Sequence, residues 1–324
     1  METENVVIGT GPLGLAVMRA LRAKGHQPVM VNRSGKVDDL PTLQVTRADV
    51  SDVRAVKRVC KNAGTIFYCA KPPYTQWVEE FPPLIDALLQ GVPSPECKIV
   101  YLDNLYAYGP MDGPLTENAP LAAQGRKGRT RAELDERLLE AHSRGVAKVT
   151  IARASDFFGP HVKEAALGSR AFEAALKGAP AEVLGNIDTP HTHAFIDDVA
   201  AGMLTLADHE EAFGRSWHLP AAPPITTREF LTRLYAQVGK PFKFRAAPRA
   251  LVSVLGLFMS QMREVKEVLY TFEQPFVVDH SQFEKAFGAK VTPHDEAIAR
   301  TLAWFREHVA RRAPTHEPVQ HGVI

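Results

Sequence analysis

Gly9-Thr10-Gly11-Pro12-Leu13-Gly14 carries the spacing G-x-G-x-x-G. A short β-branched run, Asn5 to Gly9, leads into it, and apolar residues at helical spacing, Leu13 to Lys24, follow it. Between a strand and a helix such a turn suits a diphosphate. The first glycine permits a sharp bend, the second lets backbone N–H groups approach the anion without a Cβ in the way, and the third lets the helix close on the sheet. The helix N-terminus adds N–H donors and partial positive charge. An ordinary tight turn is the plain alternative; the placement between these two elements favours a dinucleotide. The next apolar run, Pro28 to Asn32, ends in Asn32-Arg33-Ser34, with Asn32 18 residues after Gly14. An acid near that point would accept the ribose hydroxyls of NAD, whereas a guanidinium accommodates a 2′-phosphate. The acid is missing and Arg33 is present, so NADP is expected over NAD.

Other chemistry-bearing clusters read more plainly. Three cysteines, Cys60, Cys69 and Cys97, have no CxxC spacing and form neither a disulfide framework nor a zinc site; they read as buried thiols. His191 and His193 have metal-ligand spacing but lack a visible third ligand, and a substrate-side loop is preferred to a metal. Asp197-Asp198 reads as acids at a helix start rather than a catalytic carboxylate pair. Lys+Arg 38 against Asp+Glu 37 leaves a net charge of +1, which argues against nucleic acid as a partner. The longest apolar stretch, Leu251 to Met259, falls far short of the ~20 residues that span a bilayer. No signal peptide is expected at the charged start, no membrane partner is expected, and the cytoplasm is the expected location. Ala250 to Met259 with Met262, after Pro248 and Arg249, reads as core or subunit contact.

The elements that must position the glycine turn follow from periodicity. Leu43 to Thr46, Thr65 to Cys69, Lys98 to Leu102 and Ala147 to Ala152 are further short apolar runs without strict alternation, as expected of strands covered on both faces. Val53 to Lys61, Trp77 to Leu89 and Arg129 to His142 supply helical crossovers. The expectation is an α/β chain: a Rossmann-type doubly wound parallel sheet over 1–160, with 190–220 returning to it. A smaller, mostly helical substrate-binding region, interleaved over 161–312, is predicted from Glu164 to Leu176, Asp197 to Ala207, Thr227 to Val238 and Pro293 to Val309. A polar tail follows at 313–324.

In this order the chain resembles the NAD(P)-dependent epimerase/dehydratase family, the extended branch of the short-chain dehydrogenase/reductases. The resemblance runs to about Gly239. Its residues are the glycine turn, Ala48-Asp49-Val50, Cys69-Ala70, Tyr108-Gly109, Arg153-Ala154-Ser155-Asp156-Phe157-Phe158-Gly159-Pro160, and His193-Ala194-Phe195-Ile196-Asp197-Asp198-Val199-Ala200. The resemblance implies that Asp49 and Val50 contact the adenine and that Ala70 and Lys71 flank the ribose and phosphates. It further implies that Ala154, Ser155, Asp156 and Phe157 line the nicotinamide, that the helical part closes over a small-molecule substrate, and that helices Trp77–Leu89 and Arg129–His142 pair in a homodimer.

The family's catalytic signature, a Ser or Thr before Tyr-Gly and then Tyr-x-x-x-Lys, is replaced. Asn104 falls at the hydroxyl position, Lys127 at the tyrosine and Arg131 at the lysine. Lys127 would need burial or cationic neighbours to exchange a proton near neutral pH. Arg131 stays protonated but can hold an oxyanion. Tyr106 offers a substitute phenol at the end of the fifth strand, with a pocket-wall aromatic as its plain reading; Asn104 can orient a carbonyl or simply cap its turn. Two readings stand. One is an NADP-dependent oxidoreductase or epimerase-like enzyme on a small carbonyl or alcohol, with Tyr106 or Lys127 handling the proton and Asn104 and Arg131 orienting oxygens. The other is a catalytically silent cofactor-binding sensor or scaffold.

Overall fold

The computed structural model describes residues 4–247 and 266–312. The apolar stretch 250–259 with Met262, Pro248 and Arg249, and the 313–324 tail lie outside the described residues. The first part alternates β1 (Glu4–Ile8), α1 (Pro12–Ala23), β2 (Val29–Asn32), β3 (Thr46–Arg47), α2 (Val53–Val59), β4 (Ala63–Tyr68), α3 (Trp77–Gly91), β5 (Lys98–Asp103), α4 (Arg126–Ser143) and β6 (Lys148–Arg153). There follow β7 (Phe157–Phe158), α5 (Ser169–Lys177), β8 (Ala181–Leu184), β9 (Pro190–His191), β10 (Ala194–Phe195), α6 (Ile196–Asp208), β11 (Ser216–His218), β12 (Ile225–Thr226), α7 (Thr227–Gln237) and β13 (Phe244–Ala247).

Seven strands form one sheet in the order β11-β6-β5-β4-β1-β2-β3, and every pairing in it is parallel. Successive side chains of β1 explain its unbroken apolar run. Val7 faces the layer of α1 and α6, while Val6 and Ile8 face the layer of α2, α3 and α4. A strand covered on both sides needs apolar residues at every position. Winding reverses at β1, between β2 and β4, and the crevice outside the carboxyl ends of such strands is where open α/β sheets bind ligands.

The strand expected at Leu43 to Thr46 is displaced to Thr46–Arg47. Leu40, Leu43 and Val45 pack against the core under α1 instead of joining the sheet, in a segment of turns around Pro41. The helix expected from Glu164 starts only at Ser169, after a turn closed by the Gly168 amide on the Ala165 carbonyl. The last helix, His294–Arg312, extends past Val309.

The smaller part has its own core of Phe158, Phe172, Phe230, Tyr235 and Phe305, contributed by β7, α5, α7 and the last helix. It also holds strand pairs that periodicity missed, β8 with β13 and β9 with β12. These are two to four residues long, too short for a period-2 pattern to register. A strap, residues 266–279, stitches the parts together. Its Phe276 amide donates to the Pro190 carbonyl, the Thr192 amide to the Phe276 carbonyl, and the Leu115 amide to the Val277 carbonyl at 2.8–2.9 Å.

Candidate active site

The glycine turn closes the end of β1. Gly9 sits at φ +102°, and a Cβ there would lie 2.6 Å from the Ala70 amide nitrogen at the end of β4. A Cβ on Gly14 would lie 1.9 Å from the Gly9 carbonyl oxygen, so the first turn of α1 lies directly on the loop. Gly11 differs: nothing lies within 4 Å of the position its Cβ would take. Gly11 is the N-cap of α1, without a side-chain cap, and Pro12 at the first helical position has no N–H. Thr10 is held from the side by Asn32, whose amide donates to Thr10 Oγ1 at 2.6 Å and to the Lys36 carbonyl at 2.8 Å. Asn32 Oδ1 accepts from the Gly35 amide and the Ser34 hydroxyl. Asn32 and Ser34 therefore shape the loop. Arg33 is exposed, with Nε 3.6 Å from Asp49 Oδ2. Hydrogen bonds from Ser51 hold the Asp49 carboxyl below its usual range. Val50 and Ala70 are half-buried at the crevice, Leu13 is buried under α1, and Lys71 is exposed beyond β4.

The four expected catalytic residues divide. Asn104 Oδ1 accepts the Tyr106 amide at 2.9 Å, capping the turn after β5. Arg131 does not face the crevice: its Nε lies 2.7 Å from Asp103 Oδ1, its Nη1 donates to the Tyr101 hydroxyl at 2.7 Å, and its guanidinium lies over Phe81 and Trp77. Lys127 is buried at the start of α4, with Nζ 4.3 Å above the Tyr74 ring. Its backbone N–H donates to Glu267 Oε1 at 2.7 Å. Burial lowers the Lys127 pKa, against the opposing pull of Glu267. Tyr106 reaches the crevice, its hydroxyl beside that of Tyr74 and its ring beside Trp77. Burial holds the Tyr106 phenol well above its ordinary pKa, and Asp156 adds to the effect.

Around Tyr106 the fold gathers residues the sequence reading did not connect. Tyr74 follows β4, Asp156 follows β6, His191 is on β9, and Tyr270 is on the strap. His191 Nε2 donates to Asp156 Oδ2 at 3.1 Å, and the His191 ring stacks on His193 at 4.7 Å. For His191 the sequence suggests a substrate-side loop rather than a metal ligand. Nothing local marks Tyr74 or Tyr270, because adjacent strand ends and the strap bring together residues distant in the chain. Ser155 donates to the Thr192 carbonyl at 2.6 Å, and Ala154 and Phe157 pack into the wall beside it. Burial holds the Cys60 and Cys97 thiols up at about 12.

Below the crevice lies a buried polar network. Arg153 pairs with Asp135 and donates to the Tyr108 hydroxyl. His218 Nδ1 lies 2.9 Å from the Asp279 carbonyl oxygen, so it carries the proton, and Nε2 accepts from the Tyr108 hydroxyl at 2.7 Å. Tyr108 and Arg153, both in the segments that carry the resemblance, thus support the floor. Asp197 and Asp198 lie in the first turn of α6, as expected of acids at a helix start, but neither caps the helix through a side-chain hydrogen bond. Asp197 pairs with Arg19 and Arg300 at 2.6 and 2.5 Å, and Asp198 accepts from Thr292. Their carboxylates join separate elements rather than satisfy the helix's own amides.

Fold and turn define a Rossmann-like α/β protein with the glycine turn at the reversal point of its sheet. The chain belongs to the NAD dependent epimerase/dehydratase family, whose pattern matches residues 6–219. Solved structures of like fold include the UDP-glucuronic acid 4-epimerase of Bacillus cereus in complex with NAD, at TM-score 0.78 and 14% identity over 94% of this chain and 99% of that one. DesIV of Streptomyces venezuelae, a dTDP-glucose 4,6-dehydratase with NAD and TYD bound, matches at TM-score 0.75 and 20% identity over 96% and 99%. An epimerase of Methanothermobacter thermautotrophicus matches at TM-score 0.77 and 16% identity over 96% and 95%. No curated protein matches the chain. Among the described residues no helix is long and apolar enough to cross a membrane.

Proposed function

We propose that the chain is a cytoplasmic NAD(P)-dependent oxidoreductase or epimerase acting at a hydroxyl- or carbonyl-bearing carbon of a small molecule, in the first place a nucleoside-diphosphate sugar. One observation carries this reading: the open side of the glycine turn after β1 and the polar cluster after β4, β5 and β6 stand at the same carboxyl edge of adjacent parallel strands. The sugar-nucleotide class is drawn from the UDP-glucuronic acid 4-epimerase and the dTDP-glucose 4,6-dehydratase of like fold.

The turn fits a dinucleotide. Its only glycine with empty space beside it, Gly11, is the one a diphosphate must approach, while Gly9 and Gly14 are packed against neighbouring backbone. When bound, the nicotinamide would supply a hydride donor or acceptor. Gly11, Leu13 and Gly14 would hold the diphosphate, Asp49 and Val50 the adenine, Ala70 and Lys71 the ribose and phosphates, and Ala154 to Phe157 the nicotinamide. Arg33, exposed beside Asp49, favours the 2′-phosphorylated coenzyme, whereas the similar Bacillus cereus and Streptomyces venezuelae structures have NAD. Tyr106 keeps its proton because it is buried, so it serves as a hydrogen-bond donor to a substrate oxygen. Lys127 sits behind Tyr74 and supports that wall. Pairing of two copies through α3 and α4 belongs to the same reading and is tested by solution mass.

A second reading, a cofactor-binding sensor without turnover, draws on the commitment of Arg131 and Asn104 to structural contacts. One experiment separates the two. Titration calorimetry with NAD and NADP is followed by a panel of nucleoside-diphosphate hexoses and hexuronates, read by nicotinamide absorbance and by product separation. Turnover that falls about 100-fold or more in Tyr106→Phe supports the enzyme reading. Coenzyme binding with no product from any sugar nucleotide supports the sensor.

A further inference from the structure

The cleft contains a carboxylate to which the reading above gives only a lining role. Asp156 is 31% exposed, and its Oδ2 accepts from His191 Nε2 at 3.1 Å. His191 is itself 4% exposed, with the His193 ring stacked on it at 4.7 Å and the Phe272 ring at 5.7 Å. The histidine is therefore packed among aromatic rings, with one nitrogen on the carboxylate. Asp156 follows β6, which lies beside β5 and then β4 in the sheet, and its charge acts on three phenols from three separate elements: Tyr74 after β4, Tyr106 after β5 and Tyr270 on the strap. Glu267 is a further charge acting on Tyr74 and Tyr270, and Lys127 sits over the far side of the Tyr74 ring.

These neighbours divide the work. All three phenols are held protonated, first by burial: burial, then Glu267 and then Asp156 bring Tyr270 to about 12, and the Asp156 charge adds to the effect of burial at Tyr74 and Tyr106. A phenol in that state donates a hydrogen bond but does not abstract a proton near neutral pH. The family's phenolate has no counterpart here, and a carboxylate stands among the phenols instead.

We infer that Asp156 takes and returns the substrate proton, that His191 is the positioning residue that fixes the Asp156 carboxylate, and that Tyr106, backed by Tyr74, donates to the substrate oxygen. This deepens the proposed function and rests on it. In the oxidative direction the substrate O–H bond breaks and its proton goes to the Asp156 carboxylate. The C–H electron pair leaves as hydride to the oxidised coenzyme, and a C=O bond forms. In the reductive direction the Asp156 carboxylic acid returns the proton to the same oxygen. The substrate is accordingly a secondary alcohol or its ketone, with its oxygen between a carboxylate and a phenol.

The test has two arms on the full chain. In the first, 3-fluorotyrosine is incorporated, and the Tyr106 signal, assigned with Tyr106→Phe, is followed by fluorine NMR from neutral to alkaline pH without substrate. In Asp156→Asn the signal titrates at lower pH than in the wild type, because the opposing charge is gone; an unmoved titration overturns the inference. In the second arm, the sugar nucleotide turned over in the panel is used. Asp156→Asn lowers kcat about 100-fold or more and removes the acidic limb of the kcat–pH profile. Asp156→Glu recovers part of the rate. His191→Gln lowers kcat about tenfold and moves the acidic limb at unchanged KM. An Asp156→Asn variant that keeps the rate and the limb overturns the assignment. If no sugar nucleotide is turned over by the wild type, the proposed function fails, and the first arm still decides whether Asp156 governs the phenols.

Discussion

Replacing Gly11 with alanine and, separately, Gly14 with alanine probes two sides of one turn, and the structure assigns them opposite outcomes. At Gly14 the new methyl would lie 1.9 Å from the Gly9 carbonyl oxygen. Ordinary contact is near 3.5 Å, so α1 or the loop must move by roughly 1.5 Å. A shift of that size in a packed layer costs about 1–3 kcal/mol and lowers Tm by some 2–12 °C at ~2–4 °C per kcal/mol. At Gly11 the methyl meets nothing within 4 Å, and φ −69° suits any residue. Its structural effect is the poorer N-cap, at most about 1 kcal/mol. The methyl does fill the space through which a diphosphate would reach the amides of α1. Calorimetric titration with NAD and NADP, beside thermal unfolding of the free proteins, reads both effects. Gly11→Ala should unfold within a few degrees of wild type yet bind coenzyme at least tenfold more weakly, while Gly14→Ala should lose stability first. Gly11→Ala protein that binds both coenzymes as tightly as wild type would refute the proposal that this turn holds the diphosphate.

Arg131→Leu removes the buried partner of Asp103 and should cost about 3–5 kcal/mol in denaturant unfolding; a stable variant altered only in substrate KM would instead put Arg131 in the crevice. His218 is fully buried and burial holds it down at about 4. Its neutral form is needed because Nδ1 donates to Asp279 and Nε2 accepts from Tyr108. The unfolded chain binds this proton near pH 6.5 and the folded chain only near 4, so stability is full above about 6.5 and falls as pH drops toward 4, by about 3 kcal/mol. Denaturant unfolding at several pH values should show that His218→Asn loses less of its stability over the same range; equal slopes would exclude His218 as the source. Arg33→Asp should weaken NADP binding at least tenfold while sparing NAD; an equal loss of both would remove Arg33 from coenzyme discrimination.

Much of the frame was legible because it is local. The β-branched run into Gly9 and the helical spacing after Leu13 are properties of neighbouring residues, and the turn between them follows from glycine's lack of a Cβ. Strands buried on both faces show as unbroken apolar runs, which places β1, β2, β4, β5 and β6 within a residue or two of their ends. The run at Leu43 is an instructive exception: its apolar residues are half-buried, but against α1, and hydrophobicity alone does not say which layer covers them. The short strands beyond β6 escaped because a pair two to four residues long has no period to detect.

The site was legible in its coenzyme half and obscure in its substrate half. Aligning Asn104, Lys127 and Arg131 with a family signature found residues near the crevice by sequence position, yet it did not reveal their orientations. Arg131 is held by Asp103 over the Trp77 and Phe81 rings, Asn104 caps its own turn, and Lys127 lies over the Tyr74 ring. From sequence alone came the parallel sheet and the glycine turn, since both depend on residue types within a few positions of each other. Tertiary structure alone decided that Tyr74, Tyr106, Asp156, His191 and Tyr270 share one cleft. They come from five separate segments: adjacent strand ends bring Tyr74, Tyr106 and Asp156 to one edge, a hydrogen bond ties His191 to Asp156, and the strap adds Tyr270.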